Sequence, residues 1–338
     1  MSLEQRIGQL IMIGTPAGSA SSGAISAIGT YHVGSVILTG RSHVSATATR
    51  AITDKLQAAT GTSTNGAKLI VAVDQEGGKV QVLQGPGFDR MPTALYQGTH
   101  YSLDQLRAHA DSWGGELAAA GINLNLAPVM DTVSQSFAPK NAPVGYFDRE
   151  YGYTANDVAM RATAFANGMR DAGLAVSIKH FPGLGRVTGN TDTTSGVTDT
   201  VTTRQSDSVG AFGVGINSGA PVVMMSTAVY SKIDPGVPAA FSSTIIQGML
   251  RGDLGFSGVV ISDSLDGAAQ VERWSQGERA VKFVAAGGDI VLTTSSTAVA
   301  PMYAALLARA NKDTAFRGQV DAAALRVLEL KGSLGLLG

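Results

Sequence analysis

No cysteine occurs in the 338 residues, which excludes a disulfide framework, a thiolate zinc site, an iron–sulfur cluster and a cysteine nucleophile together. Charge is scarce too. Asp, Glu, Lys and Arg make up 15% of the chain, against a usual share of about 25%. The 25 basic and 26 acidic residues nearly cancel, with no run of five or more Lys/Arg, so the electrostatic footprint of a nucleic-acid or anionic-membrane partner is missing. No apolar stretch reaches the roughly 18 to 20 residues a membrane span requires. The opening Met1-Ser2-Leu3-Glu4-Gln5-Arg6 lacks the basic and apolar regions of an export signal. The expectation is a soluble chain with no nucleic-acid partner and no membrane span. It is cytoplasmic as given or exported with its signal removed, since a cysteine-free protein tolerates either redox compartment; the oligomeric state stays open.

Several motifs are also missing. The histidines are His32, His43, His100, His109 and His180, and none are spaced as H-x-H or H-x-x-x-H, so no metal is expected. There is no G-x-G-x-x-G after the first apolar run. Gly183-Leu184-Gly185-Arg186 lacks the G-K-[ST] ending of a phosphate loop, and G-x-S-x-G is absent. No cofactor is expected.

What is present is glycine, 42 residues, in a chain that is 44% apolar; this suggests tight loops around a buried scaffold of small residues. Eight apolar runs recur, at Leu10–Ile13, Gly34–Leu38, Leu69–Val73, Leu124–Pro128, Leu174–Ile178, Pro221–Met225, Gly258–Ile261 and Asp289–Leu292. Apolar runs without alternation are the pattern of parallel strands covered on both faces. Helical segments lie between them. One opens at Ser45 and ends by Gly61; Ser102–Gln105 has capping-box spacing; Thr154–Asp157 approximates one; Gly173 follows a helical stretch through Met169 as a natural stop. Further helices are expected at 203–217, 243–252, 268–286, 299–311 and 321–333. Eight strand–helix units without a linker predict one α/β domain over residues 1–338, a (β/α)₈ TIM barrel.

In such a barrel the chemistry sits at the C-terminal strand ends. Asp74-Gln75-Glu76-Gly77-Gly78, Asp131, Lys179-His180-Phe181-Pro182-Gly183 and Ser262-Asp263 follow apolar runs directly. Strand-end carboxylates with one Lys and one His suit recognition of a hydroxyl-rich ligand plus a reacting carboxylate. Asp74 would serve equally as a loop cap, Glu76 as a ligand contact or an ion-pair partner, and Asp131 as a brace for the mouth. Strand alternation sends Lys179 and His180 to opposite sides, ahead of the turn at Pro182-Gly183. Asp289, inside or just before the last strand, reads as structural.

These blocks resemble glycoside hydrolase family three, in its single-domain β-N-acetylglucosaminidase branch. Four stretches carry the resemblance in order: Val71–Val80, Leu124–Asp131, Lys179–Gly183 and Leu254–Asp263. Weaker similarity runs from Glu4 to Asp289. The resemblance implies a carbohydrate substrate and a retaining exo-β-N-acetylglucosaminidase acting on cell-wall fragments of the peptidoglycan type. It makes Asp263 the nucleophile that forms a covalent glycosyl-enzyme, and Asp74, Lys179 and His180 the groups that hold the sugar hydroxyls. Arg149 matches the sugar-binding arginine, with an ion pair to a neighbouring acid as the competing reading.

The chain departs from the family at the acid/base. The family's loop after the fifth strand ends in Asp-Ser/Thr-His, a catalytic dyad, whereas a gapless match places Asn190 and Asp192 there. Asp192 is the candidate acid/base, provided burial and the charge of the nucleophile raise its pKa. Two-domain members draw this group from a second domain, for which this chain looks too short. Gly267 replaces a frequent Met. Two alternatives therefore stand beside the hydrolase: a sugar-binding pseudoenzyme with a degenerate loop, and a β-N-acetylglucosaminide phosphorylase.

Overall fold

In a computed structural model describing residues 1–337, each of the eight apolar runs becomes a strand of one parallel sheet. The strands are β1 (Ile11–Pro16), β2 (Ser35–Thr39), β3 (Ile70–Val73), β4 (Leu124–Asn125), β5 (Ala175–Phe181), β6 (Val222–Met225), β7 (Val259–Ser262) and β8 (Val291–Thr293). Each pairs with its sequence neighbour, and β1 also pairs with β8. The ring closes between β7 and β8 through the Ile261–Ile290 bridge, where the Ser262 N–H donates to the Ile290 carbonyl at 2.9 Å. This is the expected (β/α)₈ barrel.

Residues alternating along the strands separate into two apolar layers, which is why the runs show no polar face. Met12, Ile37, Ala72, Met224 and Ile261 belong to the inner cluster, whereas Ile13, Val36, Val71, Val223 and Val260 join the outer one beneath the helices. The last helix, Thr314–Ser333, closes the N-terminal end of the barrel. Its Val327 and Leu330 join the inner cluster, and the Lys68 N–H, just before β3, donates to Leu336 O at 2.8 Å. Lys331 is buried there, its Nζ 2.6 Å from Gln9 Oε1.

The helix signals hold at the residue level. Ser45, Ser102 and Thr154 are N-caps of helices Ala46–Gln57, Leu103–Ala119 and Ala155–Asp171, and Ser102 forms a full capping box with Gln105. Gly173, at φ +86°, takes the left-handed conformation that ends the third of these at little steric cost. Three helices carry too few periodic positions to stand out: Leu3–Gln9, the Gly- and Ser-rich Ser22–Tyr31, and Ala94–His100. The expected helix at 268–286 is two elements, a single 3₁₀ turn at Ala269–Val271 and a helix at Gln276–Ala285 opened by the Ser275–Glu278 capping box. The residues between stay in the loop that follows β7. The segment Thr244–Asp253 winds as a π-helix.

Candidate active site

The strand-end residues open into a cavity of about 650 Å³ at the C-terminal mouth, lined among others by Asp74, Arg149, Lys179, His180, Asp192 and Asp263.

After β3 the chain turns back in a small hairpin, Gln75–Gly77 against Val80–Gln81. Gly77 makes the turn possible. Its φ is +105°, and a Cβ there would lie 2.2 Å from the Pro92 carbonyl oxygen, so side chains are excluded by both conformation and space. Asn125 on β4 holds the hairpin's start, accepting from Gln75 N–H at 3.1 Å and donating to Gln75 O at 3.0 Å. Glu76 is thereby buried under the mouth.

On β5 the alternation fails. Ile178 pairs with Val223 and Phe181 with Met225, so three steps on β5 match two on β6, a bulge of the kind that re-aims side chains next to functional sites. The Lys179–His180 peptide bond is cis. With the bulge, Lys179 and His180 both line the cavity instead of pointing to opposite sides.

Four charged groups form one cluster. Arg149 donates to both Glu76 oxygens at 2.8 and 2.7 Å, and Lys179 Nζ lies 2.6 Å from Glu76 Oε1 and 2.7 Å from Asp74 Oδ1. Burial would raise the Glu76 carboxyl, but the charges of Arg149 and Lys179 overcome it and hold it at about 2. Burial likewise opposes the charged form of Lys179, and Asp74 and Glu76 outweigh it to leave its pKa raised. Glu76 is therefore an ion-pair partner. The pair between Arg149 and a neighbouring acid exists, but it lies at the cavity wall and not on the outer surface.

Asp131 is fully buried and braces the mouth. Its Oδ2 accepts from His180 Nδ1 at 2.7 Å and its Oδ1 from Leu184 N–H at 2.7 Å. A carboxylate partner assigns the proton to Nδ1, which leaves Nε2 as the ring atom available to a ligand. Asp289, by contrast, is buried away from the cavity, with Arg251 and Arg326 each 2.8 Å away, a structural cluster as its place in the chain suggested.

The Gly-rich loop after β5 has a defined course. Asn190 Oδ1 accepts from Asp192 N–H at 2.9 Å, a local turn. The 3₁₀ turn of the β7 loop then receives the segment: Gln270 N–H donates to Thr191 O and Ala269 N–H to Asp192 O, both at 3.1 Å. The Gln270 side chain also bonds Val197 N–H and Val197 O at 2.8 and 3.0 Å. So held, Asp192 lines the same cavity as Asp263. The charge of Asp263 comes first, and desolvation second, in pushing the Asp192 pKa up to about 6. Asp263 is half-buried and accepts from Ser264 N–H at 2.8 Å.

A cavity with one carboxyl kept protonated into the mildly acidic range beside a second carboxylate can transfer a proton and attack an electrophilic carbon. Comparison with known proteins identifies the family. The sequence model described as Glycosyl hydrolase family 3 N terminal domain matches residues 2–330. The chain belongs to that family. Over 264 residues, 76% of each chain, it is 33% identical to a beta-hexosaminidase of Xanthomonas euvesicatoria pv. vesicatoria. Among solved structures it is similar to the beta-N-acetylhexosaminidase of Beutenbergia cavernae, with 54% identity, 98% of this chain and 99% of that one covered, and a TM-score of 0.97. A family 3 beta-N-acetylglucosaminidase from Paenibacillus matches at 30% identity and a TM-score of 0.89, covering 99% of this chain and 63% of that one.

Other residues of this family 3 mouth went unassigned in the sequence. Arg41, Lys79, Phe147 and Thr294 also line the cavity. Arg41 and Thr294 lie just past the ends of β2 and β8, where the strand-end rule would have found them. Phe147 sits on a 3₁₀ turn, Gly145–Phe147, whose position only the tertiary structure reveals.

Proposed function

We propose that this chain is a retaining exo-β-N-acetylglucosaminidase that removes terminal N-acetylglucosamine from cell-wall fragments of the peptidoglycan type, the one barrel domain of residues 1–338 supplying the whole site. The observation that carries the reading is the shared lining of Asp192 and Asp263, with the Asp192 carboxyl raised to about 6 chiefly by the charge of Asp263. The names of the relatives support the N-acetylhexosamine as the sugar removed.

In the first step a carboxylate oxygen of Asp263 bonds to the anomeric carbon as the glycosidic C–O bond breaks, and Asp192 gives its proton to the departing oxygen. In the second, water attacks the same carbon and loses a proton to Asp192 while the Asp263–carbon bond breaks; the anomeric configuration is retained. Asp74, Lys179, Arg149 and His180 bind the sugar hydroxyls. Lys179 and Arg149 are held by Glu76, and His180 by Asp131, so these groups reach the substrate in fixed orientation with little ordering left to occur. Asp192 does the work that a dyad histidine does in the family pattern, and Asn190 shapes the loop.

The test compares an aryl β-N-acetylglucosaminide with an unactivated N-acetylglucosaminyl disaccharide, for wild type and Asp192→Asn. An aryl leaving group needs little protonation and a sugar needs it fully, so the variant should lose mainly the disaccharide activity. Sugar binding without turnover by wild type would replace this reading with the binding-protein one. Faster release of sugar phosphate than of free sugar in phosphate buffer would make the chain a phosphorylase.

A further inference from the structure

Asp266 lies three residues after Asp263 on the same loop. Its neighbours Ser264, Gly267 and Thr294 all line the cavity and Asp266 does not, so it has no route to the substrate. Its hydrogen bonds nevertheless converge from the cavity wall. Oδ1 accepts from Ser264 Oγ and from Thr294 N–H, both at 2.8 Å, and Oδ2 accepts from Thr294 Oγ1 at 3.0 Å. Burial would raise this carboxyl, and the bonds from Thr294 and Ser264 outweigh it and leave the pKa lowered. No Lys or Arg forms an ion pair with it among the described residues. Neutral donors alone bond its carboxylate oxygens, which suits orientation, while the one cation that feels its charge, Arg279, bonds only its main-chain oxygen.

The backbone of the same residue is gripped from behind. Arg279, buried on the Gln276–Ala285 helix, directs its donors to carbonyl oxygens of this loop: Nη1 to Leu265 at 2.6 Å and Asp266 at 2.8 Å, and Nε to Trp274 at 2.8 Å. Gln276 Nε2 adds a bond to Asp266 O at 3.0 Å. Asp266 thus joins the loop after β7 to the end of β8, with its main chain fixed against a helix. Ser264 is the link to the reaction, because its side chain is held by Asp266 while its N–H donates to Asp263 Oδ1 at 2.8 Å.

We propose that Asp266 is a positioning residue for the reaction: by holding Ser264 and Thr294 together it fixes the N–H that engages Asp263 Oδ1, and so leaves Oδ2 aimed at the anomeric carbon. The proposal rests on the reading of Asp263 as nucleophile. It makes the shape of the Asp266 carboxylate essential and its charge dispensable. In Asp266→Asn the amide oxygen can still accept from Ser264 and from Thr294 N–H, and the amide nitrogen can donate to the Thr294 hydroxyl. Asp266→Ala removes all three links.

The experiment measures kcat and KM on an aryl β-N-acetylglucosaminide, N-acetylglucosamine binding by calorimetry, and thermal unfolding, for wild type, Asp266→Ala, Asp266→Asn, Ser264→Ala and Asp263→Asn. Misplacement of a reacting group by about 1 Å costs on the order of 100-fold. The expected result is a fall of about 10- to 100-fold in kcat for Asp266→Ala with sugar affinity within about twofold of wild type, and recovery to within about threefold of wild type in Asp266→Asn. If Asp266→Ala does not fold, Ser264→Ala carries the test and should lose kcat by about fivefold or more at unchanged affinity. Asp266→Ala with wild-type kcat, a loss of kcat matched by a loss of binding, or an Asn variant as slow as the Ala one would each overturn the positioning role. An active Asp263→Asn protein would instead overturn the nucleophile reading beneath it.

Discussion

Arg149 grips Glu76 at both carboxylate oxygens, Nε to Oε2 at 2.8 Å and Nη2 to Oε1 at 2.7 Å, beneath the wall of the cavity. Two-point pairs of this kind fix a guanidinium in direction as well as in place, so the sugar-facing groups depend on an acid that does not line the cavity. In Glu76→Gln, Arg149 and Lys179 remain buried with only Asp74 and Asp131 to offset them. Removing one partner of a buried pair costs about 3–5 kcal/mol. We expect Glu76→Gln to lower thermal stability clearly and to raise KM more than it lowers kcat. An unchanged KM would show that the cluster is structural only.

Asp192 should set the alkaline limb of the pH profile. The first step of the proposed mechanism needs its protonated form, and the carboxyl is raised to about 6. Above that pH the active fraction falls by about tenfold per unit, so disaccharide hydrolysis should decline from pH 6 upward while aryl glycoside hydrolysis declines less. Because Asp263 is the leading cause of the shift, Asp263→Asn should bring the Asp192 titration back toward the ordinary carboxyl range. Carboxyl-resolved NMR of the two proteins reads this directly, and an identical midpoint in both would contradict the coupling.

Lys331 should make the stability depend on pH at the opposite end of the barrel. Burial lowers its pKa to about 7, below the value of about 10.4 that an unfolded chain has. Between these values the unfolded state binds more protons than the folded one, so stability rises with pH. Below pH 7 both states are protonated and the cost of the buried charge is fully present. The stability of wild type relative to Lys331→Met is therefore expected to increase from pH 7 to pH 10, measured by denaturant unfolding at each pH. A constant difference would mean that Lys331 stays charged in the fold.

Asp289 accepts from Val260 N–H at 2.7 Å as well as pairing with Arg251 and Arg326, which ties the start of β8 to β7 and to two helices. Asp289→Ala would leave two cations facing each other. A loss of about 3–5 kcal/mol is expected, read as a lower denaturant midpoint, with KM nearly unchanged in whatever protein folds. A variant as stable as wild type would show that the two arginines find other partners.

The amino-acid sequence alone determined the barrel and most of its site. Period and composition are local properties, so runs such as Leu69–Val73 and Gly258–Ile261 announced buried parallel strands, and Ser45, Ser102 and Thr154 announced helix starts. The strand-end rule alone places Asp74, Asp131, Lys179, His180 and Asp263 at one mouth. What only the tertiary structure decided depends on contacts between residues far apart in the chain. The bulge on β5 turned Lys179 and His180 onto the same lining, and Glu76 became an ion-pair partner because Arg149, 73 positions away, folds onto it. Asp192 reaches the cavity because Ala269 and Gln270, on a different loop, supply the N–H groups that hold its segment. Strand alternation and capping are set by neighbours a few residues apart; the pairing of two loops is set by the closure of the whole barrel.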